Sequence, residues 1–110
     1  MAVEGGQVAQ FRLTKNVARA KIRSLAQDSA NLIWGNHARS RMSERGITDV
    51  DVLRILRTGH IDDEPRRTDN GEWQCKVTKH IRGGRDAGAV VIILHGDKLF
   101  LKTVEWEDRK

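Results

Sequence analysis

AVVIILHGDKLFLKTVEW, residues 89–106, decides the fold. Residues 89–94 are an unbroken apolar run rich in β-branched side chains, which suits a strand buried on both faces. Gly96 and Asp97 form a two-residue hairpin signal, because both tolerate the positive φ of a tight turn between twisted strands. Residues 98–106 then read as the closing strand of an antiparallel pair. Upstream, residues 72–81 alternate. Trp73, Cys75, Val77 and Ile81 share one side, and Gln74, Lys76, Thr78 and His80 share the other, as in a half-buried strand. Asp69, Asn70 and Gly71 make the turn before it, and residues 83–88 form a glycine-rich loop. Residues 60–67 hold the single Pro, Pro65, and read as an edge strand or a loop.

The chain before Gly59 has helical periodicity instead. Thr14 is an N-cap candidate for a basic amphipathic helix whose apolar positions are Ala18, Ile22, Leu25 and Ala26. Leu32, Ile33 and Trp34 form a short apolar patch, read as a short strand or a plug. A second helix runs from about Asn36, its expected cap, to Arg45, with Ala38 and Met42 inward and Gly46 as the stop. Thr48 and Asp51 make a capping-box-like start for a third, with Val52, Leu53 and Leu56 as its core stripe and Gly59 as its end. Helices precede strands with no βαβ alternation. The expected fold is therefore α+β: two to three N-terminal helices packed on one face of a three- or four-stranded antiparallel β-meander. Residues 1–12 read as a flexible leader and 13–108 as one domain, with 13–30 a helical extension and 32–106 the core.

The 110 residues suffice for one modest core. Lys and Arg number 20 against 15 acidic residues, a formal charge of +5, which favours polyanionic partners. The sequence contains no membrane-spanning run and no export signal, and one Cys excludes an internal disulfide framework and a multi-thiolate metal site. The cytoplasm is the expected compartment, and no cofactor or metal is expected. Cys75 lies in the apolar phase of its strand and reads as a small core residue. His60, Asp62, Asp63 and Glu64 form an acidic turn, read as solvated more readily than as a cation site.

Two constellations carry possible chemistry. On the second helix His37, Arg41 and Glu44 or Arg45 fall along one side at three- and four-residue spacing. Guanidinium forks grip phosphate and an imidazole exchanges protons near neutrality, which suits a phosphodiester. The competing reading pairs Glu44 with Arg41 on a solvated helix side. The second constellation is the stretch 76–85, where Lys76, Lys79, Arg82 and Arg85, with His80, have no acidic residue among them. A basic sheet face of this kind would hold a single-stranded RNA backbone.

The string His37-Ala38-x-x-Arg41-Met42-x-Glu44-Arg45-Gly46-Ile47-Thr48, with the short helix, the glycine and the meander ending in Lys102-Thr103-Val104, resembles a family of small bacterial and phage domains, many of them without an assigned function. That family is similar to the RelE/ParE and BrnT-like toxins, compact helix-plus-sheet ribonucleases that need no metal. The resemblance implies His37 as acid or base, Arg41 and Arg45 as a phosphate clamp, His80 or Lys76 across the sheet, and Thr103 as a polar site residue on the last strand. Lys76, Lys79, Arg82 and Arg85 are then the nucleic-acid-binding set. The chain departs from ribosome-dependent toxins in having no Tyr and an acidic segment at residues 105–108. The function expected is that of a toxin-like endoribonuclease of a toxin–antitoxin or phage-conflict system, with RNA and an antitoxin protein as partners. The alternative is a non-catalytic nucleic-acid-binding or protein-inhibitor module of phage or mobile-element origin.

Overall fold

The computed structural model describes residues 12–108. The leader read for residues 1–12 lies outside the described residues except for Arg12, which is exposed. Three α-helices, α1 (Lys15–Ala26), α2 (Asn36–Arg45) and α3 (Asp49–Thr58), combine with five strands, β1 (Leu32–Trp34), β2 (Arg66–Arg67), β3 (Trp73–His80), β4 (Asp86–Leu94) and β5 (Lys98–Trp106). The fold class is α+β, as expected. Cys75 is buried in the core, and burial pushes its thiol up to about 11.

Helix α1 begins where the Thr14 hydroxyl accepts from the Val17 amide, and it buries Ala18, Ile22 and Ala26, four residues apart, against α3 and β5. Its ends are tied to the rest of the chain. Glu64 accepts from the Lys15 amide at 3.1 Å, a carboxylate at a positive helix end, and Arg57 of α3 donates to the last-turn carbonyl of Ala26 at 2.7 Å. Arg19 and Arg23 in turn donate to Gly59 at the end of α3. The helix of segment 13–30 thus packs its apolar face into the core.

Helix α2 is capped by Gly35, not by Asn36. A Cβ on Gly35 would lie 2.6 Å from the Leu101 carbonyl and 2.8 Å from the Phe100 ring, so no capping side chain fits there. Gly46 ends the helix in the left-handed region at φ 68°. Thr48 and Asp51 then form the reciprocal capping box that opens α3.

The sheet is mixed, in the order β1-β5-β4-β3-β2. This corrects the expected three- or four-stranded antiparallel meander. Strand β1 pairs in parallel with β5 through Leu32–Leu99 and Trp34–Leu101, and two-residue β2 closes the other edge. Both strands are too short for alternation to reveal, and their partners are remote in sequence. The β4–β5 connection spans His95, Gly96 and Asp97 between the paired Leu94 and Lys98, one residue longer than the expected turn, with Gly96 and Asp97 at positive φ.

A bulge in β5 sets the geometry of the site. Val90 faces Thr103 and Val91 faces Leu101, leaving Lys102 as the extra residue. The buried phase therefore changes from Leu99 and Leu101 to Val104 and Trp106. Helices α1 and α3 cover the face built from Cys75, Val77, Ala87, Ala89, Val91 and Ile93. Helix α2 runs beside the C-terminal half of β5, beyond the end of β1, where Arg45 donates to the Val104 carbonyl at 3.0 Å. The opposite face of the sheet is open. One row crosses all five strands, Ile33, Phe100, Ile92, Gln74 and Arg66; the next holds Thr103, Val90 and Lys76; the third holds Glu105, Gly88 and Thr78.

Candidate functional site

The third row and its neighbours form a cleft of about 340 Å³ lined by Arg45, Lys76, Glu105, Trp106 and Glu107. Lys76 Nζ sits between two carboxylates, 3.2 Å from Glu105 and 2.8 Å from Glu107. Gly88 makes this possible. A Cβ there would lie 2.7 Å from Glu107 Oε2 and 3.2 Å from the Lys76 chain, so a bare backbone is what lets the two side chains cross β4. Arg45 reaches the cleft from the last turn of α2. Trp106 forms its wall, with its indole donating to the Arg45 carbonyl at 2.9 Å and the Arg85 guanidinium stacked 4.0 Å from its ring centroid.

The two carboxyl groups are pushed apart. Burial raises Glu107, hydrogen bonding and charge at Glu105 add to it, and the pull of Lys76 does not restore it to the ordinary range. Glu107 Oε2 is also buried with no hydrogen-bond partner among the described residues, which favours the protonated form. Burial acts on Glu105 in the same direction, but the hydrogen bonds from Glu107 and Lys76 and the charges of Lys76 and Arg45 outweigh it and hold Glu105 low. Lys76 is raised, chiefly by its hydrogen bond to Glu107, and stays charged. A carboxyl shifted up, a carboxyl shifted down and two cations thus share one cleft. That set can donate a proton, accept one and neutralise an anion.

Among the residues picked out from the sequence, Arg45 and Lys76 meet in this cleft, and Thr103 lies in register with Val90 beside Lys76. His37 and Arg41 share the side of α2 that ends in Arg45, but His37 is about 12 Å from Arg45 along the helix axis. His37 is exposed, and Arg41 pairs with Glu44 at 2.6 Å, the local pairing already considered for this stripe. His80 ends β3 on the open face and shares a 2.7 Å hydrogen bond with Asp86. Lys79 lies on the opposite strand face.

The stretch 76–85 is not uncompensated in the folded chain. Lys76 meets Glu105 and Glu107, Arg82 meets Asp51 at 2.7 Å and donates to the Gly46 carbonyl, and Arg85 meets Asp108. Arg82 therefore joins the α2–α3 turn to the β3–β4 loop. Sequence proximity could not show this, because the carboxylates that meet Lys76, Arg82 and Arg85 come from α3 or from β5 and the residues after it.

The domain of unknown function DUF4258 matches residues 34–106. The chain belongs to that family. The DUF4258 region begins at the end of β1 and finishes with β5, so it contains Arg45, Lys76, Gly88, Glu105 and Trp106 and leaves out α1. No curated protein and no solved structure matches the chain.

Within the DUF4258 region the reading from sequence missed Glu105 as a site residue, and just beyond the region it missed Glu107. Both were taken only as an acidic segment. Their spacing of two along a strand was the available signal, since it places two carboxylates on one face. Among the described residues no group of three or more His, Cys, Asp or Glu side chains has metal-holding geometry, and no helix is long and apolar enough to cross a membrane. The His60–Glu64 turn instead serves the fold, through Glu64 at the start of α1 and the His60–Thr78 bridge.

Proposed function

We propose that this DUF4258 protein is a metal-independent endoribonuclease, acting in the cytoplasm as the toxin-like partner in a toxin–antitoxin or phage-conflict system. The observation that carries the reading is the split pair Glu105 and Glu107 around Lys76, with Arg45 beside them. Glu105 takes the proton of the RNA 2′-hydroxyl as its oxygen bonds to phosphorus. Glu107 gives its proton to the 5′-oxygen as the phosphorus–O5′ bond breaks, leaving a 2′,3′-cyclic phosphate and a 5′-hydroxyl. Arg45 and Lys76 neutralise the charge that builds on the phosphorane oxygens. His37 and Arg41, farther along α2, take no part in moving protons. The toxin assignment is supported by the resemblance of residues 37–48 and the elements after them to a family of small bacterial and phage domains similar to the RelE/ParE and BrnT-like toxins, together with the compact helices-on-sheet architecture.

Incubation with RNA in EDTA tests the reading. Cleavage by the unmodified protein, reduced about 100-fold or more in Glu105→Gln and Glu107→Gln, is the expected result. Absence of cleavage, or cleavage by both variants equal to that of the unmodified protein, overturns it. A second reading, a non-catalytic single-stranded nucleic-acid binder, is favoured by Arg66, Arg67 and Lys102, cations on or beside the open face that no carboxylate engages among the described residues. Steeply salt-dependent binding without cleavage distinguishes it.

A further inference from the structure

A second depression, of about 410 Å³, lies on the same open face next to the cleft. Arg66 and Arg67 of edge strand β2 form one wall, Gln74 and Ile92 the floor, and Lys102 the opposite wall. The bulge in β5 places Lys102 there: as the extra residue it stands beside Thr103 and reaches back over the sheet to Gln74 Oε1 at 3.1 Å. These three cations come from two strands on opposite sides of β3 and β4, and nothing in their sequence spacing brings them together.

Their electrostatic state differs from that of the cations in residues 76–85. Arg82 and Arg85 already meet carboxylates, and Lys76 meets two. Lys102 has only the neutral Gln74 amide, and Arg67 stacks over Trp73 with its guanidinium carbon 5.2 Å from the ring centroid. Arg66, Arg67 and Lys102 form no ion pair among the described residues. Among the described residues Asp69 is the one carboxylate lining the depression, where Arg66 and Lys102 stand on the open face and Arg67 borders it from the Trp73 side of β2. Repulsion among the cations is relieved by a bound anion. The floor adds what a bare anion site lacks. Ile92 offers an apolar surface for a base, and the Gln74 amide can both donate to and accept from a base edge.

We propose that this depression is a nucleotide-binding subsite for single-stranded RNA, with Arg66 and Lys102 on the phosphate and Gln74 and Ile92 against the base. The proposal rests on the nucleic-acid reading above and deepens it by naming the form of the substrate. Gln74 and Lys76 are two residues apart on one strand face, about 7 Å. One extended strand of RNA running along β3 therefore meets the depression and the Lys76 cleft in succession. A duplex keeps its base edges paired and its base faces stacked, and it cannot place a base on Ile92.

Binding of a fluorescently labelled single-stranded oligouridine, followed by anisotropy in EDTA across a salt series, tests this separately from cleavage. The unmodified protein should bind, and the triple variant Arg66→Ala, Arg67→Ala, Lys102→Ala should bind at least about tenfold more weakly. Its log–log salt slope should be shallower by about 1.4, from the loss of two phosphate contacts on a single strand. Arg54→Glu, on the exposed side of α3 and outside both depressions, should bind like the unmodified protein and serves as the charge control. Binding lost equally in the triple variant and in Arg54→Glu, an unchanged slope, or no binding by any form overturns the subsite. Binding with the expected slope change but no cleavage by the unmodified protein overturns the ribonuclease reading and leaves the subsite standing. Circular dichroism melting of the triple variant, whose side chains all lie at the surface, separates loss of binding from loss of fold.

Discussion

Arg45 and Trp106 hold each other in place: the Trp106 indole donates to the Arg45 carbonyl at 2.9 Å, and the Arg45 guanidinium donates to Val104, two residues before Trp106. The pair joins the end of α2 to the end of β5 and forms one wall of the cleft. The orphan carbonyl of the last helical turn is satisfied by the same side chain that closes the core. Trp106→Phe keeps most of the packing and loses the hydrogen bond, an expected cost of about 1 kcal/mol. Trp106→Ala should cost about 3–5 kcal/mol, because it also opens a cavity under α2. Urea denaturation of the two variants measures both, and a Trp106→Phe variant as stable as the unmodified protein would show that the indole bond contributes nothing.

Gly88→Ala separates the site from the fold. The added methyl meets Glu107 Oε2 at 2.7 Å and the Lys76 chain at 3.2 Å, and both are movable parts of flexible side chains. The gain of about 0.5–1 kcal/mol from replacing a strand glycine offsets much of the crowding. Unfolding free energy should therefore change by less than about 1 kcal/mol. Glu107 should leave Lys76, and RNA cleavage should fall at least about tenfold. A crystal structure showing Glu107 undisturbed would contradict this.

The opposite shifts of Glu105 and Glu107 predict a bell-shaped pH profile for cleavage. The rising limb belongs to ionisation of the pair's first carboxyl, below the ordinary Glu range, and the falling limb to loss of the second proton, above it. Activity should be greatest on the acidic side of neutrality. Glu107→Gln should remove the falling limb in whatever residual activity remains. Stability follows the same signs. The raised Glu107 contributes stability that is present below its unfolded pKa and lost as pH rises through the folded one. The lowered Glu105 contributes stability that is lost as pH falls through its folded pKa. Denaturation of Glu105→Gln and Glu107→Gln across roughly pH 3–7, on either side of the ordinary carboxyl value, should show these opposite slopes.

Asp51 serves a cap and an ion pair at once. It accepts from the Thr48 amide at 2.9 Å and from Arg82 at 2.7 Å. Burial opposes its ionisation, but the Thr48 and Arg82 interactions outweigh that and hold its carboxyl low. Asp51→Ala should cost about 2 kcal/mol, from the cap and from the broken pair. With Arg82→Ala it should show a coupling above about 0.5 kcal/mol in a double-mutant cycle. Its contribution is present above the ordinary carboxylate range and is lost as pH falls through the folded pKa, so acid unfolding of Asp51→Ala should begin from a lower plateau with a smaller slope.

What residues 12–108 reveal by themselves follows from short-range physics. Thr14, the Thr48–Asp51 box and Gly46 mark helix ends because capping depends on residues within one turn. Ala18, Ile22 and Ala26, and Cys75 and Val77, mark buried faces because side-chain direction repeats every 3.6 or two residues. The sequence alone therefore determined the helices, the long strands, the α+β class and the shared face of Lys76, Thr78 and His80. It also carried a trace of the bulge, in the three-residue step from Leu101 to Val104 among the apolar positions of β5. Only the tertiary structure decided that β1 joins β5, that Glu105 and Glu107 meet Lys76, and that Arg66 faces Lys102 across the sheet. Each of these depends on register between segments far apart in the chain. Charge neutralisation depends on distance in space, which the linear order of residues does not encode.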